Sequence, residues 1–141
     1  MELEEIKKSY FIELQRFIYN KLGSSVHLNK LRVYRKIPKD SRFPFIFLGK
    51  IMVFDRSLKD IMRVHFLHEV AVFSREDSIE DILSWGEVIK RELVGNNISC
   101  NDFCITEISF LQMELDVMSD GLTNKMLMKF KFSSERVANV A

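Results

Sequence analysis

From about Glu2 to Leu22 the apolar residues Leu3, Ile6, Tyr10, Leu14, Phe17 and Ile18 recur at three- and four-residue steps. That spacing lays one apolar stripe along a helix. Gly23 follows as a stop, since glycine reaches the left-handed conformation without a Cβ clash. Ser24 to Lys30 reads as a polar link with a lone Val26. The period then shortens to two, and strands are expected at about Leu31–Ile37 and Phe45–Phe54. Between them lie Pro38 and Pro44, the only prolines of the chain. Proline has no N–H to give to a ladder, so each marks a strand end or an edge. The segment Pro38 to Phe43 therefore reads as a rigid polar turn.

A polar tip over Asp55 to Asp60, with Arg56 and Lys59, predicts an exposed hairpin loop. From Ile61 to Phe73 the chain alternates, with Met62, Val64, Phe66, Val70 and Val72 on one face and His68 as the exception among them. This is a long strand with one face in the core. Ser78 is a good N-cap, and Glu80 and Asp81 suit the start of a second helix. Its stripe is Ile79, Ile82, Leu83, Val88 or Ile89, and Leu93, with Trp85 at the rim, and Gly95-Asn96-Asn97 ends it. The last third reads as a long hairpin, Cys104–Val117 and Lys125–Phe132. Ile105, Leu111, Met113, Leu115 and Val117 share one register, and Ser119-Asp120-Gly121 makes the turn. Ser133 to Ala141 is small and polar and is expected to fray, leaving one domain over residues 1–132. The tip at Ser119 to Thr123, like that at Asp55 to Asp60, is expected to be exposed and mobile.

Hairpin-linked strands with segregated helices make the chain α+β. The expectation is a mainly antiparallel sheet of four to five strands with two main helices on one face, in the order α-β-β-β-α-β-β. Its core should include Leu14, Phe17, Ile18, Phe47, Val64, Phe66, Val70 and Val72. Ile82, Leu83, Ile89, Met113, Leu115 and Phe130 should join them.

Composition narrows the function. A chain of 141 residues is the size of one ordinary domain. Its net charge of +1 is too balanced for a nucleic-acid binder driven by bulk charge. The acidic start Met1-Glu2-Leu3-Glu4-Glu5 is unlike a signal peptide, and no apolar run is long enough to span a bilayer. Two cysteines, Cys100 and Cys104, make no disulfide framework, which points to a reducing, intracellular origin, and their spacing is not a zinc spacing. His65 and His68 are three apart on a strand, so they face opposite ways and cannot share a metal. His27 lies in a loop with no ligand set around it. There is no glycine-rich phosphate loop and no nucleophile elbow. The reading is of a protein that is not an enzyme, with no catalytic residues, no cofactor and no metal. Lys30, Arg32, Arg35, Lys36, Lys39 and Arg42, interleaved with Tyr34, Phe43 and Phe45, form a basic stretch. It reads either as a charged edge that blocks aggregation or as a contact strand for RNA.

Several segments, in order, resemble the tail-completion, or tail terminator, family of phages, prophages and gene transfer agents. Glu13-Leu14-Gln15-Arg16-Phe17-Ile18-Tyr19-Asn20-Lys21-Leu22 is similar to the family's first helix. Val33-Tyr34-Arg35-Lys36-Ile37-Pro38-Lys39-Asp40 and Phe43-Pro44-Phe45-Ile46-Phe47-Leu48-Gly49 resemble its proline-containing strands. His68-Glu69-Val70-Ala71-Val72-Phe73-Ser74-Arg75 resembles the strand before its second helix, with Phe73 where Trp is common. Asp116 to Phe132 resembles its final hairpin. The first helix begins earlier than the family pattern.

The resemblance implies a structural protein that forms a homo-oligomeric ring, commonly of six copies, at the end of a tail tube. Such a ring stops tube polymerisation and joins tail to head. Its partners would be the tail tube protein and the head–tail connector protein. DNA would meet it only by passing through the lumen, and no membrane would be involved. It would reside in the tail of a virion or phage-like particle and be assembled in the host cytoplasm. On that reading Asp55, Arg56, Lys59 and Asp60 are the candidate partner-interface loop. The alternative is a small α+β RNA- or ligand-binding module using residues 30–42.

Overall fold

A computed structural model describes the backbone of residues 3–100 and 103–137 and the side chains of residues 10–99 and 104–135. The first helix, α1 (Leu3–Gly23), is followed by a short 3-10 turn at Val26–Leu28, and then by β1 (Arg32–Tyr34), β2 (Phe45–Asp55) and β3 (Ile61–Ser74). After α2 (Ile79–Leu93) come β4 (Ile98–Cys100), β5 (Phe103–Ile105), β6 (Glu107–Val117) and β7 (Asn124–Val137). Five strands form one sheet in the order β1-β2-β3-β7-β6. All its pairings are antiparallel except β1 with β2. The fold is α+β, with both helices on one face of a mainly antiparallel sheet, as the patterning predicts.

Period two in the sequence becomes a two-faced sheet. Val64, Phe66, Val70 and Val72 of β3 lie opposite Ser134, Phe132, Met128 and Met126 of β7, and all eight are buried. The helices close over this face with Tyr10, Leu14, Ile18 and Leu22 from α1 and Ile82, Ile89 and Leu93 from α2. On the other face Phe45, Ala71 and Phe73 form a smaller cluster with Tyr34, Phe43, Phe47 and Leu127. Gly86 marks where α2 presses on the sheet. A Cβ there would stand 2.7 Å from Met126 Cε. Gly95 ends α2 with φ +87, and the Asn96 side-chain amide donates to the carbonyl of Glu92 at 2.6 Å.

The structure corrects several expectations. The Pro38–Pro44 region is not the bend of a hairpin. β1 ends at Tyr34 and runs parallel to β2, so residues 35–44 form a crossing loop instead of a tight turn. The link after α1 is anchored: Leu28 is buried, and Val26 is the exposed residue. Asn97 to Ile105 holds a separate two-stranded ribbon, β4 with β5. Ser133 to Val137 does not fray but continues β7 against Ile61 to His65 of β3, and residues 138–141 lie outside the described residues. Leu3 and Ile6 of the predicted helix stripe have side chains outside the described set.

The core list is corrected at one corner. Leu83, Met113 and Leu115 are 37%, 44% and 39% exposed. A bulge at Leu111, between the pairs Phe110↔Phe130 and Gln112↔Lys129, shifts the phase of β6. Before it Ile108 and Phe110 face the helices, and after it Met113 and Leu115 do, opposite Met128 and Met126. There α2 borders Met113 across an open groove and leaves it and Leu115 exposed. Phe17 is only partly buried, and Phe47 belongs to the cluster on the far face.

Candidate interaction surfaces

The predicted loop between β2 and β3 is built as a tight tip. Asp55 Oδ1 accepts from the Ser57 N–H at 3.0 Å, and the Arg56 N–H donates to the Arg63 carbonyl at 2.8 Å. Leu58 closes the turn by donating to the Ile61 carbonyl at 2.8 Å. Asp55, Arg56, Lys59 and Asp60 are all exposed, and the Arg56 guanidinium lies 5.5 Å from the Phe54 ring centre. Behind the tip, His65 meets Ser133 Oγ at 3.1 Å. Partial burial first, then the positive field of Lys131, Arg56 and Arg63, holds His65 below its ordinary pKa. The loop presents charge at an exposed, hydrogen-bonded hairpin tip.

The second tip, between β6 and β7, is tied by hydrogen bonds to Asp120. Asp120 accepts from the N–H groups of Leu122 and Thr123 and from Thr123 Oγ1 at 2.6 Å. These bonds, Thr123 Oγ1 foremost and with Arg75 nearby, lower the Asp120 pKa to about 2. Thr123 is buried, while Ser119 to Leu122 are exposed.

The basic stretch runs from the edge strand into the loop that leaves it: Arg32 is in β1, and Arg35, Lys36, Lys39 and Arg42 follow in residues 35–44. Lys30 is neutralised by Glu76 at 2.6 Å; that bond raises the lysine pKa and lowers the glutamate's. Arg32, Arg35, Lys36, Lys39 and Arg42 are exposed, and among the described residues none of them makes an ion pair. Arg35 stacks 5.4 Å from the Tyr19 ring centre. Beside β1, Tyr19, Gly23, Leu31, Arg32 and Tyr34 border an open cleft of about 490 Å³.

The opposite edge is β6, which pattern reading took for core. Leu111, Met113, Leu115, Val117 and Met118 are all exposed. A groove of about 410 Å³ runs beside it, lined by Leu83, Gly86, Phe110, Met113 and Met128. Sequence carried one signal for this. An eleven-residue strand is about 37 Å long, and a fifteen-residue helix is about 22 Å, so α2 cannot cover the hairpin's full length.

The residues weighed for chemistry are not brought together. His68 is fully buried on the helix face, where its Nδ1 meets the Glu69 carbonyl at 2.9 Å. His65 is on the other face, and His27 is in the exposed turn after α1. Cys104 pairs across the β4–β5 ribbon with Ser99 and is a free thiol. Among the described residues no three His, Cys, Asp or Glu side chains converge on a metal-sized site. No helix there is long and apolar enough to cross a membrane.

An α+β sandwich of this topology, with two open sheet edges, defines an architecture that known structures share. A chain in the structure titled "Virion of native gene transfer agent (GTA) particle" superposes with a TM-score of 0.77 at 16% identity, over 87% of this chain and 95% of that one. At that identity the likeness is one of fold. No protein-family profile matches the chain, and no curated protein matches it in sequence.

Proposed function

We propose that this chain is a structural component of a phage-like particle, a tail-completion protein that closes into a ring on the end of a tail tube. There it ends tube growth and offers a face to the head connector. The observation that carries this reading is the fold shared with a chain of a gene transfer agent virion over nearly that chain's full length. The surfaces support it. Two sheet edges and two exposed hairpin tips stand open, and among the described residues no metal-sized cluster of His, Cys, Asp or Glu competes with them for a role.

On this reading the Asp55–Asp60 tip meets the tube or a neighbouring subunit. Hairpin tips on a rigid sheet hold position well enough to fix register in an assembly. The deciding experiment adds purified protein to growing tail tubes. Elongation should halt at one end, with a ring seen there by electron microscopy. Unchanged tube lengths would remove the proposal.

A second reading has its own observation, the five exposed cations at 32–42 without carboxylate partners. It makes the chain an RNA-binding module. Tight binding of single-stranded RNA at physiological salt, with no effect on tubes, would favour it.

A further inference from the structure

The two outermost strands, each taken with the loop that leaves it, carry opposite charge. Residues 32–42 hold Arg32, Arg35, Lys36, Lys39 and Arg42 against Asp40 alone, five cations less one anion, or +4. Residues 107–120 hold Glu107, Glu114, Asp116 and Asp120 and no Lys or Arg, or −4. β1 and β6 are the outermost strands, with β2, β3 and β7 between them. The two segments therefore differ sharply in charge within a chain of net charge +1, with Lys125 of β7 opposite Asp116.

We infer that the acidic, apolar β6 edge of one copy docks on the basic β1 edge and cleft of a second copy, head to tail. This rests on the ring reading above and assigns the surfaces that build the ring. Three observations point to a second copy as the occupant. The charges of the two outer segments of one molecule are equal in number and opposite in sign. β6 has a hydrogen-bonded neighbour on one side only, and it exposes Leu111, Met113, Leu115 and Val117, a long apolar edge of the kind that proteins cover. Its acidic residues also forbid the obvious misuse of that edge. Two β6 strands pairing with each other would set −4 against −4, whereas β6 on β1 sets −4 against +4.

Asp120 is engaged by Arg75, but the two acidic residues in the second half of β6 are not held in ion pairs. Among the described residues Glu114 and Asp116 make no ion pair; Glu114 accepts from Gln112, and Asp116 from the Val117 N–H. The contact is heterologous, so repeating it gives a ring where the rotation closes.

The test is a charge swap. One variant carries Glu114→Lys with Asp116→Lys, and the other carries Arg32→Glu with Lys36→Glu. Both should fold, by circular dichroism and melting, because the four side chains are exposed and none is in an ion pair. Each alone should self-associate more weakly than the unmodified chain by roughly tenfold or more in sedimentation. Mixed in equal amounts they should assemble again, with native mass spectrometry showing equal numbers of each in every ring. Association of the unmodified chain should weaken with salt.

If the unmodified chain forms rings but either variant assembles equally well alone, or the mixture fails, the edge assignment is wrong and the ring reading stands. If the unmodified chain stays a monomer at every concentration and on tube ends, both fall. If Arg32→Glu with Lys36→Glu instead abolishes binding of single-stranded RNA and leaves association untouched, the basic edge belongs to nucleic acid and the inference is overturned.

Discussion

Phe66 and Met113 stand on strands that alternate in the same way, yet one is enclosed and the other is 44% exposed. Phe66 lies 5.9 Å from the Tyr10 ring and 5.7 Å from Phe11. Phe66→Ala should cost about 3–5 kcal/mol, the usual loss for emptying an aromatic site. Met113→Ala should change stability by less than about 0.5 kcal/mol, as at ordinary surface positions. Denaturant melts of the two variants check both, and a reversed order would mean that β6 is covered. Alternation told which residues share a face, but not whether anything lies over that face. That depends on which strand ends at the edge, and a single strand carries no such record. His68 adds a second residue-scale test. Burial lowers its pKa from 6.5 to about 4, so the folded state holds it neutral while the unfolded chain takes up a proton first. Its contribution is fully present above pH about 6.5 and is lost as pH falls toward about 4. His68→Leu should flatten stability against pH across that window, read as melting midpoints at successive pH values.

At the scale of elements, the long helices and strands were legible because their apolar periods run over many residues. The short ones were not. β1 pairs through three residues only, and its parallel partner lies across ten residues of loop. No local pattern distinguishes that from a hairpin arm. The β4–β5 ribbon, three residues a side, is equally silent. The bulge at Leu111 puts Ile108 and Phe110 out of register with Met113 and Leu115, since one inserted residue moves the side chains on its two sides to opposite phases. The α2–sheet contact gives a test at this scale. Gly86 leaves no room for a branched side chain against Met126. Gly86→Leu should cost about 1–3 kcal/mol by forcing α2 outward. A thermal melt unchanged from the parent would show that α2 rides higher than its contacts imply.

For the molecule as a whole, the candidate site was half legible. The Asp55–Asp60 tip and the basic stretch were visible as charge, and both are exposed. The β6 edge was hidden, because exposed Met113 and Leu115 have the same chemistry as core. Charge reversal at Arg56 and Lys59 tests the tip. Neither side chain is in an ion pair among the described residues, so folding should persist by circular dichroism while tail joining fails. Full joining activity would free the tip from any interface role. The strand order carries one more consequence. β7 sits between β3 and β6, yet it is synthesised after both. Until it inserts, β6 has no strand to hold it and the acidic edge does not exist as a surface. If the edges dock as inferred, a nascent chain offers its neighbours a basic edge but nothing to receive one. On the edge-docking inference, translation itself sets the clock, and a subunit becomes able to polymerise only once its sheet is complete.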